Sequence, residues 1–256
     1  MNKGLLGFLI FLGLLAVGLG VVGYVLGPNV LAFIFHAERK SAPVVLVDLV
    51  AFADPAAEQG YRRNYLLPAR ALIEAAGGKR LWSGHPGDVA AGGLSDAWSW
   101  LQLVEYPSRS AVIELVTSSD YRALAAAQDA TTTRRALLAA TPLQPFTKGG
   151  GKYCVVRFVA FDADDALAGY EARWAAGDAA ELAQFHGVIV WHATLNPLSA
   201  DAGQRWDAVW IYAFPNAQRR SAWLDNPRRA TQAALERHLF RRDVLIAVDA
   251  DGAELP

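Results

Sequence analysis

Trp98–Leu124 reads WSWLQLVEYPSRSAVIELVTSSDYRAL, a strand, a stop and a helix. Trp98–Tyr106 is aromatic and β-branched, as a strand requires. Pro107 ends it, and Ser108 stands where the cap of a following helix belongs. The same grammar returns at Trp206–Gln232, WDAVWIYAFPNAQRRSAWLDNPRRATQ. Trp98 matches Trp206 and Pro107 matches Pro215, each pair 108 apart. Both helices break at the same place, at Thr117-Ser118-Ser119 and at Asp225-Asn226-Pro227. The chain is a duplication.

Working outward, Pro43–Ala53 is a nearly continuous apolar run broken only by Asp48, the pattern of a strand buried on both faces. Asp54-Pro55 opens a helix, cap before proline. Tyr61, Tyr65, Pro68, Leu72 and Ala76 recur at helical spacing as its inner stripe, and Gly77-Gly78 closes it. Lys79–Ser83 reads as a strand and Gly84–Asp96, rich in glycine, as a loop. Arg134–Thr141 supplies a fourth strand. The order is β-α-β-β-α-β, the ferredoxin-like pattern. Pro142–Gly151 has linker composition, and then the order restarts. Phe52 matches Phe161, Gly60-Tyr61 matches Gly169-Tyr170, and Trp82 matches Trp191, all 109 apart. Arg134-Arg135 finds an echo in Arg241-Arg242, before a last strand at Asp243–Asp249. The units are a first repeat over 43–141, a linker over 142–151 and a second repeat over 152–250.

A four-stranded sheet with helices on one side leaves its other face bare, and these strands are apolar on both faces. The expected fold class is therefore α+β, with the repeats packed sheet to sheet as an intramolecular α/β barrel.

The run LWSG (81–84) followed by LVEYPSRSAVIELVTSSDYRAL (103–124) resembles the family called domain of unknown function 1330, of the dimeric α/β-barrel superfamily. The likeness is fuller over residues 43–141 than over 152–250, where Trp191 and Trp206–Pro227 carry it. The resemblance implies that two repeats do within one chain what other members do with two. Superfamily relatives include cofactor-independent monooxygenases, lactone isomerases, haem peroxidases and ligand-sensing domains, so the fold supports chemistry without specifying it.

Leu5–Phe35 carries no charge, and Leu5–Leu26 is long enough for one bilayer crossing at roughly 20 residues. Residues 1–36 are read as an uncleaved single-pass membrane anchor, kinked or ended at Gly27-Pro28-Asn29. Gly23 and Gly27 form a GxxxG pair of the kind that marks a self-association face. Lys3 and the amino terminus balance Arg39 and Lys40, so charge gives no orientation.

The net charge is −1, spread without blocks, which excludes nucleic acid as an expected partner. One cysteine and five histidines leave no Cys-rich metal site. Cys154, in an apolar run, reads as a small buried hydrophobe. No phosphate loop, HExxH or Ser-His-Asp spacing is present, and no cofactor is expected. Asp48 and His85 are the candidate catalytic bases. Arg157 stands at the position of Asp48 in the second repeat, and the two opposite charges are expected to pair, directly or through neighbours. Tyr61, Trp82, Trp100 and Tyr106, with Arg157, are the candidate ligand-binding residues. His192, after Trp191, is a candidate of the same kind as His85, and His186 sits at a helix end, where a cation is favoured anyway. Trp100, Gln102 and Glu105 become Ala208, Trp210 and Ala213, so at most one repeat need keep a site. The expected function is binding of a small apolar or aromatic molecule at the membrane. The alternatives are a cofactor-independent monooxygenase or isomerase and a structural or interaction domain.

Overall fold

The computed structural model describes residues 42–91, 98–147, 151–163, 166–173, 175–197, 206–229, 231 and 237–251. The anchor expected over 1–36, with Gly23 and Gly27, lies outside them. Among the described residues no helix is long and apolar enough to cross a membrane.

The first repeat runs β1 (Val44–Ala51), α1 (Pro55–Tyr61), a π-helical turn (Arg62–Leu66), α2 (Leu67–Ala75), β2 (Lys79–Ala91), β3 (Trp100–Tyr106), α3 (Arg109–Thr117), α4 (Ser119–Asp129) and β4 (Arg134–Gln144). The second runs β5 (Tyr153–Phe161), α5 (Ala166–Arg173), α6 (Ala175–Gln184), β6 (Val188–Pro197), β7 (Ala208–Phe214), α7 (Ala217–Leu224) and β8 (Phe240–Ala250). Asp54 and Ser108 cap their helices as expected, accepting hydrogen bonds from the backbone N–H of Ala57 and Ala111. Asn216 does the same for Arg219, and Ser118 restarts the interrupted helix by accepting from Tyr121.

All eight strands close into one antiparallel barrel, β1-β3-β2-β8-β5-β7-β6-β4. Each repeat forms half of it, and the seams are β2 with β8 and β4 with β6. Alternation sends Val45, Val47 and Leu49 inward to meet Leu101, Leu103, Val156, Phe158, Ile211 and Ile246. Eight strands leave an interior that side chains just fill. Asp48, between inward-facing neighbours, points out toward the helices.

Two strands run further than their sequence suggests. β2 continues to Ala91 through residues expected to form a loop, because beyond its own sheet it pairs with β8. Gly84 makes that seam possible: a Cβ there would lie 2.6 Å from Val248 Cγ1. β4 likewise runs through Pro142–Gln144 to pair with β6. A bulge in β2 between Arg80 and Trp82, repeated in β6 between Ile189 and Trp191, turns both tryptophans onto the barrel core.

The helical stripe also shifts. Tyr61 and Tyr65 are buried as expected, but Ala69 follows them, and Pro68 is exposed. Pro68 has no N–H to give the turn before it, and its ring crowds that turn's carbonyl. The chain answers with a wider turn, the Leu67 N–H donating to the Arg62 carbonyl five residues back.

Gly77 ends α2 in the left-handed region, at φ 75°. Its counterpart is His186, at φ 56°, with Gly187 N–H donating to Leu182 as Gly78 does to Ile73. A side chain in that conformation costs about 1 kcal/mol. His186→Gly should therefore raise stability in urea unfolding by about 0.5–1 kcal/mol; an unchanged or lower midpoint would show that the imidazole is held there by something more than the turn.

Candidate functional site

The outer faces of the two half-barrels, under the helices, hold the buried polar residues. Asp48 and Arg157 are 3% and 4% exposed, but they do not meet. They stand on β1 and β5, on opposite sides of the barrel, and both point away from its axis. Each finds its partner within its own repeat. Arg135 Nε and Nη2 donate to Asp48 Oδ1 and Oδ2 at 2.8 and 2.9 Å. Arg157 Nε and Nη2 donate to Asp243 Oδ1 and Oδ2 at 2.9 and 2.8 Å. In each case the partner lies two residues along the neighbouring strand from the directly opposite one, Leu137 or Leu245. The expected match of Arg134-Arg135 to Arg241-Arg242 is therefore one residue out of register. Arg134 answers to Arg242, each guanidinium lying over its repeat's tryptophan, Trp98 at 4.8 Å and Trp206 at 5.3 Å. Arg135 answers to Asp243. The ion pair is kept and its polarity inverted.

Burial opposes the charge of Arg135 and of Arg157, but Asp48 and Asp243 more than offset it, so both guanidinium pKa values stand well above the ordinary value. Around the first pair, Gln128 Oε1 accepts from Arg135 and Gln102 Nε2 donates to Asp48 at 3.4 Å. Both oxygens of Asp48 are thus engaged, one by Arg135 and the other by Arg135 and Gln102. Around the second, Arg157 Nη1 donates to Tyr170 and Asp178 at 2.7 and 3.1 Å, and the Tyr170 hydroxyl donates to Asp178.

Asp48→Arg or Arg135→Asp alone places like charges together under the helices, at a cost of about 3 kcal/mol or more. The double reversal reproduces the polarity of the second repeat and should recover most of that loss in urea unfolding. A double variant as unstable as the sum of its parts would show that the pair is not the interaction that matters. Asp48 and Arg157, which share no partner, should show a coupling energy near zero.

Beside the first pair lies an open crevice of about 320 Å³ between α2 and the β2–β3 edge, at the small end of ligand-site volumes. Leu66 and Leu67, displaced by the π-helical turn, line it with Ile73 and Val104. Gln102 stands at its inner end, and Arg70, Glu74, Lys79 and Arg80 are its charged lining. Arg70 Nε donates to Glu74 at 2.8 Å. Arg80 has its pKa lowered, first by burial and then by Arg70, against the opposing pull of Asp251 and Glu74.

The second repeat lacks this chemistry. Its residues at those positions are Ala179, Ala183, Val188 and Ile189 in place of the four charges, and Trp210 in place of Gln102. Trp210 packs edge-on to Tyr170 at 5.6 Å and stacks on His192 at 4.4 Å. His192 Nε2 has no hydrogen bond, Glu171 Oε1 being 3.6 Å away, and burial lowers its pKa to about 4. The unfolded chain therefore takes up a proton on this residue between about pH 6.5 and 4 that the folded chain refuses. Stability should fall as pH drops through that window, with a contribution from this group of up to about 1.4 kcal/mol per pH unit. His192→Leu should flatten that part of the profile in urea midpoints measured from pH 7 to 4; an unchanged slope would mean that His192 carries its proton in the fold.

A second polar cluster lies further along the same edge. His85, on β2, has Nδ1 3.3 Å from the Ser99 carbonyl, so Nδ1 bears the hydrogen. Its Nε2 is 3.0 Å from Arg62 Nη2 and 3.2 Å from Asp251 Oδ1. Asp251 comes from the other repeat, across the β2–β8 seam, and its Oδ2 accepts from Ser83 Oγ at 2.9 Å and Trp100 Nε1 at 3.3 Å. Neutral His85 accepts from Arg62; protonated His85 donates to Asp251. Each state has a partner.

Tyr61, Trp100 and Tyr106 are sealed at 0–3% exposure, Trp82 packs on the barrel core, and Arg157 is held by two carboxylates. None of these five lines the crevice, and neither does His85. Cys154 is buried beside the Gly151 carbonyl, its thiol pKa pushed up to about 12 by burial. Among the described residues no His, Cys, Asp and Glu group could hold a metal ion. The sequence pointed to neither Arg80 nor Asp251, and to Arg135 only as a landmark of the duplication. The replacement of charged residues by apolar ones between repeats was the available signal for Arg80.

No protein-family model matches the chain, and no curated protein does. Solved structures do match. An anthrone oxidase-like protein superposes with a TM-score of 0.56 at 17% identity, over 84% of this chain and 93% of its own. A candidate monooxygenase from Lactobacillus acidophilus NCFM gives 0.50 at 13% identity, over 82% and 94%. Another from Fusobacterium nucleatum gives 0.50 at 6% identity, over 82% and 93%. The chain shares with them the α+β barrel built of ferredoxin-like units.

Proposed function

We propose that this protein binds a small, largely apolar or aromatic molecule in the crevice of its first repeat, the second repeat serving to close the barrel. The observation that carries this reading is the asymmetry of two otherwise matched half-barrels. The first has an open crevice with apolar walls and a few polar groups, the usual make-up of a small-molecule site. The second places Trp210 where Gln102 stands, packed edge-on to Tyr170 and stacked on His192. A binding or enzymatic use also agrees with the shared barrel of the solved structures named as monooxygenases and as anthrone oxidase-like.

An enzymatic reading, in which a base removes a proton from the bound molecule, has His85 in its favour. Its side chain is 38% exposed, and Nε2 is served in both protonation states. It stands on the same strand edge as the crevice, so a bound molecule would have to extend past Ser83 to meet it.

The test uses 2-naphthol, a neutral aromatic probe, in titration calorimetry. The wild-type chain should bind it, and Gln102→Trp, which copies the second repeat, should abolish binding. His85→Gln should leave the affinity within about twofold, because His85 lies outside the crevice. Equal binding by wild type and Gln102→Trp would overturn the assignment of this crevice.

A further inference from the structure

We infer that the crevice takes a molecule carrying a hydrogen-bond donor, such as a hydroxyl, at its inner end and a carboxylate or similar anion at its mouth, with an apolar body between. This rests on the crevice being the binding site and adds the chemistry at its two ends.

The inner end is decided by the ion pair. Asp48 accepts two hydrogen bonds from Arg135, so it is an ionised, acceptor-only carboxylate. The Gln102 group 3.4 Å from it is then the amide nitrogen, the donor of that side chain. With its nitrogen turned to Asp48, Gln102 presents its carbonyl oxygen to the crevice that it lines. A buried acceptor of that kind favours a donor and penalises an apolar atom.

The mouth is decided by charge. The lining there carries Arg70, Lys79 and Arg80 and one carboxylate, Glu74, which Arg70 engages, while Glu105 stands opposite Lys79 on β3. Asp251 acts on Arg80 from the seam, and the lining still carries a net positive charge. Between the two ends, Leu66, Leu67, Ile73 and Val104 offer only apolar surface. The second repeat has lost the acceptor and all four charged residues together, as expected if they serve one ligand.

Titration calorimetry with 6-hydroxy-2-naphthoate, 2-naphthoate and 2-naphthol separates the two ends. The hydroxy acid should bind best, with the loss of either group weakening affinity about tenfold, one good hydrogen bond or ion contact each. Gln102→Leu, which leaves the Asp48–Arg135 pair in place, should erase the advantage of the hydroxyl and keep that of the carboxylate. Lys79→Gln combined with Arg80→Gln should do the reverse, and added salt should shrink only the carboxylate term. If all three probes bind alike, or if the variants weaken them alike, the assignment of the two ends is overturned while the crevice remains a binding site. If none binds, both this inference and the binding function fall.

Discussion

Each repeat is a four-stranded sheet with apolar side chains on both faces and helices for only one of them. That imbalance sets the rest. The uncovered faces turn toward each other, and Val45, Val47 and Leu49 of one repeat share a core with Val156, Phe158 and Ile211 of the other. Facing sheets would still leave open edges, which are liable to pair with other chains. β2 and β4 are therefore longer than a lone repeat would need, and each runs across to a strand of the other half. Closure is what demands Gly84, and what makes the Gly84–Ala91 stretch a strand.

A filled interior pushes any site outward. The space left for a small molecule lies between the barrel wall and the helices, where Asp48–Arg135 and Arg157–Asp243 also sit. Burying such a pair stabilises little compared with an apolar replacement, whereas losing one member is expensive. Its inverted polarity fits that asymmetry: either arrangement satisfies the two strands, but a half-changed pair does not. The surroundings then differ by what each pair can orient. Asp48 accepts from the amide nitrogen of Gln102, a residue that lines the crevice. Arg157 instead holds Tyr170 and Asp178, with Trp210 beside it.

The duplication, the strand and helix order and the caps were readable because they rest on local chemistry: Asp54-Pro55, Ser108 and Gly77-Gly78 each act within a few residues. The barrel followed from the two-faced strands. Partners were harder to read. Asp48 and Arg135 are 87 residues apart and Ser83 and Asp251 are 168 apart, and no periodicity joins them. Aligning Arg134-Arg135 with Arg241-Arg242 by residue type hid the charge reversal, since similarity rewards identity and an inverted pair has none. The π-helical turn escaped for another reason. A regular helical spacing predicts Pro68 on the inner stripe, and only the backbone consequence of its missing N–H moves Ala69 there instead. The aromatic candidates Tyr61, Trp100 and Tyr106 proved to be core, which is the ordinary fate of large rings. The crevice is lined instead by Gln102 and a set of long charged side chains.

In a symmetric pair of identical chains, any change made to improve one site is made in the other as well, and the interface must accept it twice. Joining the repeats in one chain removes that constraint. Trp210 can stand in one half-barrel where Gln102 stands in the other, and four positions can be charged on one side and apolar on the other. The seam shows the same freedom. Asp251 reaches from the second repeat to Ser83, Trp100 and His85 of the first, whereas its counterpart by the repeat spacing, Leu143, is an exposed hydrophobe on a strand that pairs with β6. The second repeat thus contributes to the polar edge of the first without receiving the like in return. A half-barrel without Gln102 and the four charged residues still supplies the wall, the seam and a carboxylate to its neighbour, which is reason enough for both copies to persist in one chain.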